Sequence, residues 1–162
     1  MSKLNVQFCE YLDTVEKQYQ DIVAEINEYL TDNGCKCEIK EAKSGFVVSY
    51  IYGTSKRTIA SFVSRKTGMK IRIYAEHLAQ YADLLDTFPQ KMKQEIKKSS
   101  VCKRLINPND CNPKCIKGYD FFMDNEHYQK CRYMAFMPTL NEENNPFIKC
   151  FLEKEISALR EK

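Results

Sequence analysis

The chain has few of the residues on which common enzyme families depend. Its 162 residues include no tryptophan, only five glycines and only two histidines, His77 and His127. Neither histidine stands in an HExxH, HxE or CxxCH pattern, which argues against zinc hydrolases and deaminases. No GxGxxG, GxxxxGKS/T or GxSxG motif occurs, and so few glycines leave little material for a phosphate-binding loop. These absences favour a non-enzymatic protein.

Long apolar runs are also missing. No run approaches the roughly 18 residues that a bilayer span needs. The chain begins with Ser2 and Lys3 leading into an amphipathic segment, whereas a signal peptide would show an apolar stretch. We therefore expect a soluble, cytoplasmic protein without a membrane partner.

Apolar residues follow a helical spacing in four parts of the chain. Steps of three and four over residues 4–30 predict one long N-terminal helix with a single apolar stripe. Two central helices are predicted, a short acidic one over 75–85 with His77 on its surface and another that begins at Pro89. A C-terminal helix begins at Asn145.

Apolar and polar residues alternate between residues 35 and 74, which is typical of β-strands. Short connections predict an antiparallel meander with strands over 46–52, 58–64 and 69–74. Because successive side chains of a strand point to opposite faces, the inner face must hold one of two sets. These sets are Phe46, Val48 and Tyr50, or Val47 and Ile51.

A hairpin is predicted from strands over 119–123 and 127–137, joined by a turn at 124–126. Together these elements predict a single α+β domain over residues 1–162. It would contain an antiparallel sheet of about five to six strands, with the long N-terminal helix, the two central helices and the C-terminal helix packed mainly on one face. Asparagine and proline pairs disfavour regular structure over 99–118, so we expect a cysteine-bearing loop there.

The chain has eight cysteines, which is above ordinary usage. In a reducing compartment they are expected to serve as core residues, metal ligands or reactive groups. Eight, three and fifteen residues separate four of them, Cys102, Cys111, Cys115 and Cys131. Four thiolates at about 2.3 Å suit a tetrahedral zinc ion, which would tether the loop. Flanking cations such as Lys130 and Arg132 are expected to favour the thiolates.

Two other interpretations of these cysteines stay open. The four thiols pack as small hydrophobic residues, or some of them form a redox pair or an iron centre. Cys35 and Cys37 share a strand face with Ile39, so we expect them to pack in the core.

Because tryptophan is absent, ten tyrosines and nine phenylalanines make up the whole of the Phe, Trp and Tyr content. Many alternate on predicted strands, where an ordinary core explains most of them. A phenol also offers a flat apolar face and one polar group, which suits a binding surface. The predicted ligand face consists of Tyr50, Tyr52, Tyr119 and Tyr128.

Basic residues concentrate on the predicted meander. The net charge of +3 is too small to indicate a nucleic-acid partner by itself. Residues 35–72, however, hold nine Lys and Arg against two Glu. Either this charge keeps the sheet soluble and protects its edges, or it binds single-stranded nucleic acid. The predicted nucleic-acid face consists of Lys56, Arg57, Arg65, Lys66 and Arg72.

The sequence thus favours a non-enzymatic, cytoplasmic binding domain with a structural zinc site of four cysteine ligands and an aromatic face for a small molecule or a protein. A single-stranded nucleic-acid-binding accessory protein is the first alternative. A thiol-based redox protein built on Cys111 and Cys115 is the second. The oligomeric state is left open.

Overall fold

The structure is a computed structural model that describes residues 6–42, 45–53, 56–65, 68–102 and 118–160. The described residues form two antiparallel sheets and four α-helices, which confirms the predicted α+β class. The helices are α1 (Val6–Thr14), α2 (Lys17–Asp32), α3 (Gln90–Lys98) and α4 (Asn145–Arg160). The strands are β1 (Cys35–Ala42), β2 (Gly45–Tyr52), β3 (Arg57–Arg65), β4 (Gly68–Ile73), β5 (Tyr119–Met123) and β6 (Glu126–Lys130).

The N-terminal apolar stripe is divided between two helices, where the sequence predicted one. The chain becomes extended at Glu16, with φ −54° and ψ 139°. The Gln20 side-chain amide donates to the carbonyl oxygens of Leu12 and Val15, at 3.2 and 3.0 Å. These hydrogen bonds satisfy backbone acceptors that the end of a helix leaves without partners. Apolar spacing alone does not reveal a break that is stabilised in this way.

The meander prediction is confirmed, with strand order β1-β2-β3-β4. Val48 pairs with Phe62, which in turn pairs with Ile71. Val48 and Tyr50 are fully buried, whereas Val47 is exposed, so the first of the two predicted inner sets faces the core. This face packs in one apolar cluster with residues of α1, α2 and α4.

A short extended segment covers the outer edge of β4. The Ile73 amide donates to the Phe136 carbonyl oxygen at 2.8 Å, and the Ile71 amide to that of Pro138 at 3.1 Å. The Leu140 amide donates to the Met69 carbonyl oxygen at 2.9 Å. The 136–140 segment therefore satisfies backbone groups that an edge strand would leave unpaired.

The predicted hairpin forms a second sheet, where the sequence predicted one continuous sheet. Its two-residue turn places Asp124 and Asn125 at φ 51° and 66°. Positive φ angles at both central residues are what a type I′ hairpin turn requires. The second strand ends at Lys130, not at residue 137, because the chain then turns. The Met134 and Ala135 amides both donate to the Cys131 carbonyl oxygen, at 3.1 and 2.9 Å.

The first predicted central helix is replaced by two short 3₁₀ turns, Leu78–Gln80 and Ala82–Thr87. The second is confirmed as α3, with Pro89 directly before it. The ring of Phe88, just before α3, contacts the ring of Phe151 in α4, with the two ring centroids 5.7 Å apart. This contact places α3 beside α4 and beside the segment that follows β6.

Candidate functional site

Two of the four predicted zinc ligands, Cys102 and Cys131, each directly follow a residue of one antiparallel bridge. Val101 forms an antiparallel bridge with Lys130, so residues 100–102 extend the second sheet along β6. The Cys102 amide donates to the Gln129 carbonyl oxygen at 2.9 Å, and the Cys131 amide to that of Ser100 at 2.7 Å. In this register Cys102 and Cys131 share one face as diagonal neighbours, a position about 7 Å apart in antiparallel pairs. Neither forms a disulfide.

Cys102 and Gly118, the described residues on either side of positions 103–117, are in contact. The Gly118 amide donates to the Cys102 Sγ atom at 3.2 Å. A Cβ atom on Gly118 would lie 3.0 Å from the Cys102 Cβ and 2.0 Å from the Lys130 carbonyl oxygen. Only glycine fits so close to another backbone. Cys111 and Cys115 belong to this segment and lie outside the described residues, which by themselves contain no group of three or more His, Cys, Asp or Glu suited to a metal ion.

Lys130 and Arg132, the two described cations among those predicted to flank the thiols, are engaged elsewhere. Lys130 is buried, and its Nζ atom donates to the carbonyl oxygens of Lys97 and Ser99 at 2.7 and 2.9 Å. It therefore caps the C-terminal end of α3. Arg132 forms an ion pair with Glu76. On an extended chain, adjacent side chains point to opposite faces. Lys130 and Arg132 are therefore next to Cys131 in sequence without lying beside its thiol.

A largely apolar cavity of about 250 Å³ opens between α3 and residues 134–138. We call it the α3 pocket. It lies beside the aromatic contact of Phe88 with Phe151, and Ala135 and Phe136 contribute the opposite wall. Its described lining consists of Lys70, Phe88, Met92, Glu95, Ile96, Lys98, Ser99, Met134, Ala135, Phe136, Met137, Pro138 and Phe151.

Three charged side chains line the α3 pocket. Lys70 Nζ lies 3.2 Å from Glu95 Oε2. The Thr139 hydroxyl donates to the other carboxylate oxygen of Glu95, also at 3.2 Å. Lys98 is exposed and has no ion-pair partner among the described residues. The lining therefore carries one positive charge that the pocket itself does not compensate.

The walls of the α3 pocket are held by hydrogen bonds to the backbone of Cys131. Met134 and Ala135 form part of its wall, and their amides are held by the Cys131 carbonyl oxygen. On the opposite side, Ser99 lines the pocket and the next residue, Ser100, accepts the Cys131 amide. Both walls thus meet at the backbone of Cys131.

The four tyrosines of the predicted ligand face do not form one exposed surface. Tyr50 is fully buried, and its hydroxyl donates to Asn27 Oδ1 at 2.8 Å. Tyr119 is buried and accepts the Ala75 amide at 3.0 Å, and burial raises the pKa of its phenol. Tyr52 and Tyr128 are half-buried and pack against the core. The alternation that suggested a face reflects core packing, as is usual for strand residues.

The basic residues of the predicted nucleic-acid face are separated. Arg57 and Arg65 stand at opposite ends of β3, about 26 Å apart at 3.3 Å per residue. Arg57 lies next to the exposed Lys56 and forms an ion pair with Glu76 at 3.2 Å. The Arg72 Nε atom donates to the Tyr133 carbonyl oxygen at 2.7 Å. Lys66 and the side chain of Arg65 lie outside the described residues.

His77 is buried, where the sequence predicted a surface residue. Its Nδ1 atom lies 2.7 Å from Glu155 Oε2, and its amide donates to Oε1 at 3.1 Å. The Tyr81 hydroxyl also donates to Oε1, at 2.6 Å. Burial and the Glu155 carboxylate raise the pKa of Tyr81. A signal was present, because Glu155 stands on the apolar stripe of α4, four residues after Phe151.

Comparisons with known proteins give no indication of function. No protein-family model, no curated protein and no solved structure matches the chain. Among the described residues, no helix combines the length and the apolar composition needed to cross a membrane. The α3 pocket and the thiol pair are therefore the features from which we infer a function.

Proposed function

We propose that this protein is a non-enzymatic binding domain that takes a small molecule with an apolar or aromatic body into the α3 pocket. The observation that carries the proposal is a cavity with a mostly apolar lining and a few polar groups at its margin, which is typical of small-molecule sites. Phe88, Phe136 and Phe151 supply aromatic surface for such a body. At about 250 Å³ the cavity suits a ligand smaller than a drug-sized molecule.

The composition of the wall supports an adaptable site. Met92, Met134 and Met137 all line the cavity. Methionine is unbranched and polarizable, so it adjusts to ligands of different shape and makes favourable contacts with aromatic rings. Met134 remains 36% exposed, so a ligand that covered it would bury apolar surface.

The polar groups of the pocket favour binding over catalysis. Lys70 and Glu95 form an ion pair, and the Ser99 hydroxyl donates to the Ile96 carbonyl oxygen at 2.6 Å. No histidine or cysteine occurs in the described lining, and its one serine hydroxyl is already engaged with a backbone carbonyl oxygen.

We further propose that a structural zinc ion bound by Cys102, Cys111, Cys115 and Cys131 tethers the 103–117 segment. The proposal is supported by the diagonal placement of Cys102 and Cys131 and by the hydrogen bond from the Gly118 amide to the Cys102 Sγ atom. Four thiolates are a common ligand set for zinc in structural sites. The predicted cytoplasmic location, in which thiols stay reduced, is part of this proposal.

The pocket is tested with a matched pair of serine variants. Ser99 lines the cavity, whereas Ser100 is exposed and does not. We expect 3-phenylpropanamide, followed by calorimetry, to bind the native protein and Ser100→Phe but not Ser99→Phe, in which the new ring occupies the opening. Equal binding to both variants, or no binding of this amide or of 3-phenylpropanoate to the native protein, would overturn the proposed pocket.

The zinc site is tested by metal analysis of protein purified without a metal-affinity resin. We expect one zinc ion per chain, and its loss in the Cys102→Ser, Cys131→Ser double variant. Cys9→Ser and Cys150→Ser serve as controls, because both residues lie on helices away from the thiol pair. Metal-free native protein, or full zinc content in the double variant, would contradict the site.

A further inference from the structure

We infer that the ligand of the α3 pocket is a small carboxylate, with its apolar body inside the cavity and its anionic group at Lys98. This inference rests on the proposed function of the pocket and adds the chemical class of the ligand. It follows from the charges that line the cavity and from the way in which each is compensated.

The carboxylate of Glu95 is already satisfied. It pairs with Lys70 through one oxygen and accepts the Thr139 hydroxyl through the other. A cationic ligand would have to displace Lys70 from this pair, which costs the existing interaction. The only other charge in the described lining is that of Lys98. An anion therefore finds a partner at the margin of the pocket and a cation does not.

The C-terminal end of α3 lies near Lys98, and a helix C-terminus normally repels an anion. In this protein Lys130 removes that repulsion. Its buried ammonium group donates to the carbonyl oxygens of Lys97 and Ser99, which are among the last acceptors of this helix. The partial negative charge of the helix end is thus compensated from within the fold, so it does not oppose an anion at Lys98.

The size of the cavity restricts the body of the ligand. A volume of about 250 Å³ lies below the range of about 300–1,000 Å³ that holds drug-sized molecules. A single ring or a short chain fits this limit better than a fused ring system. The ligand class is therefore a short aromatic or aliphatic carboxylate.

Three probes that share a phenylpropyl skeleton and differ in the charge of the terminal group test the inference. They are 3-phenylpropanoate, 3-phenylpropanamide and 3-phenylpropylammonium, measured by calorimetry at low salt. We expect the carboxylate to bind about twofold to fivefold more tightly than the amide, the range of a solvent-exposed ion pair, and the ammonium compound to bind most weakly. The preference should shrink as salt screens Lys98.

Lys98→Gln should lower the affinity for the carboxylate to that for the amide, so that the ratio of the two affinities falls to about one. Lys91→Gln is the matched control, because Lys91 is exposed on the same helix and does not line the pocket. If the amide binds as tightly as the carboxylate, or if Lys98→Gln keeps the preference, the carboxylate inference is overturned while the pocket stands. If none of the probes binds, the proposed pocket and this inference fail together.

Discussion

Gly118, directly before β5, leaves no room for a side chain. Its missing side chain allows the chain to return beside Cys102 and the Lys130 carbonyl oxygen, which a Cβ atom would approach to 2.0 Å. We expect Gly118→Ala to destabilise the protein by about 3 kcal/mol or more, because the clash is with backbone that cannot move aside. Gly53→Ala is the control, since its Cβ would lie 3.3 Å from its nearest neighbour. Urea unfolding of the two variants measures the difference, and equal losses would contradict the close approach.

Cys35 makes the stability of the fold sensitive to alkaline pH. Burial raises the pKa of this thiol from about 9 to about 11. A raised pKa in the folded state contributes stability that is complete below pH 9 and is lost as the pH rises to 11. For a single group the loss is at most about 1.4 kcal/mol per pH unit in that window. Burial also raises the pKa values of Cys37 and Tyr11, which act in the same direction.

Comparison of the native protein with Cys35→Ala isolates this contribution. We expect the free energy of unfolding to fall less steeply between pH 9 and pH 11 in the variant, because the other buried groups are retained. Denaturant unfolding at several pH values provides the measurement. Identical slopes for the two proteins would show that Cys35 is not the titrating group.

At the scale of elements, α4 is tied to the 3₁₀ turns by one buried carboxylate. Glu155 accepts hydrogen bonds from the His77 amide and the Tyr81 hydroxyl and contacts the His77 ring. We expect Glu155→Ala to cost about 3 kcal/mol, because it leaves buried donors without partners and creates a cavity. Glu153→Ala, an exposed change on the same helix, should cost less than about 0.5 kcal/mol. Similar thermal unfolding of both variants would contradict this role.

The segment after β6 connects the backbone of Cys131 to the wall of the α3 pocket. If zinc holds Cys131, removal of the metal should free the turn in which Met134 and Ala135 donate to its carbonyl oxygen. We expect these two amides to exchange hydrogen faster after chelation, while amides between β2 and β3 keep their protection. Unchanged exchange at both amides in zinc-free protein would separate the metal from the pocket.

For the whole molecule, local patterns in the sequence predicted the helices and strands better than the contacts between them. The period of two located the meander, and Asp124 with Asn125 marked the hairpin turn, because both signals depend on residues close in sequence. The α3 pocket combines lining residues from Lys70 to Phe151, so no local pattern could reveal it. The proposed zinc site shows the same limit. The spacing of its cysteines suggested a site, but it did not reveal that Lys130 and Arg132, which were expected to favour the thiolates, would contact other groups.

Buried polar contacts across the molecule escaped prediction for the same reason. His77 and Glu155 are 78 positions apart, and neither residue's neighbours in sequence indicate that the two side chains meet. The position of Glu155 within an apolar stripe was the available clue, since a charged residue there must find partners inside the fold.

The central proposal, that the α3 pocket binds a small molecule, is tested most directly by the methyl groups of the methionines. Met92, Met134 and Met137 line the pocket, whereas Met69 and Met123 are buried elsewhere and serve as internal references. With ¹³C-methyl labelling, we expect titration with 3-phenylpropanoate to shift the three pocket signals in a saturable way and to leave the two references unmoved. Shifts confined to Met69 and Met123, or no shift at any of the five, would contradict a ligand site at α3.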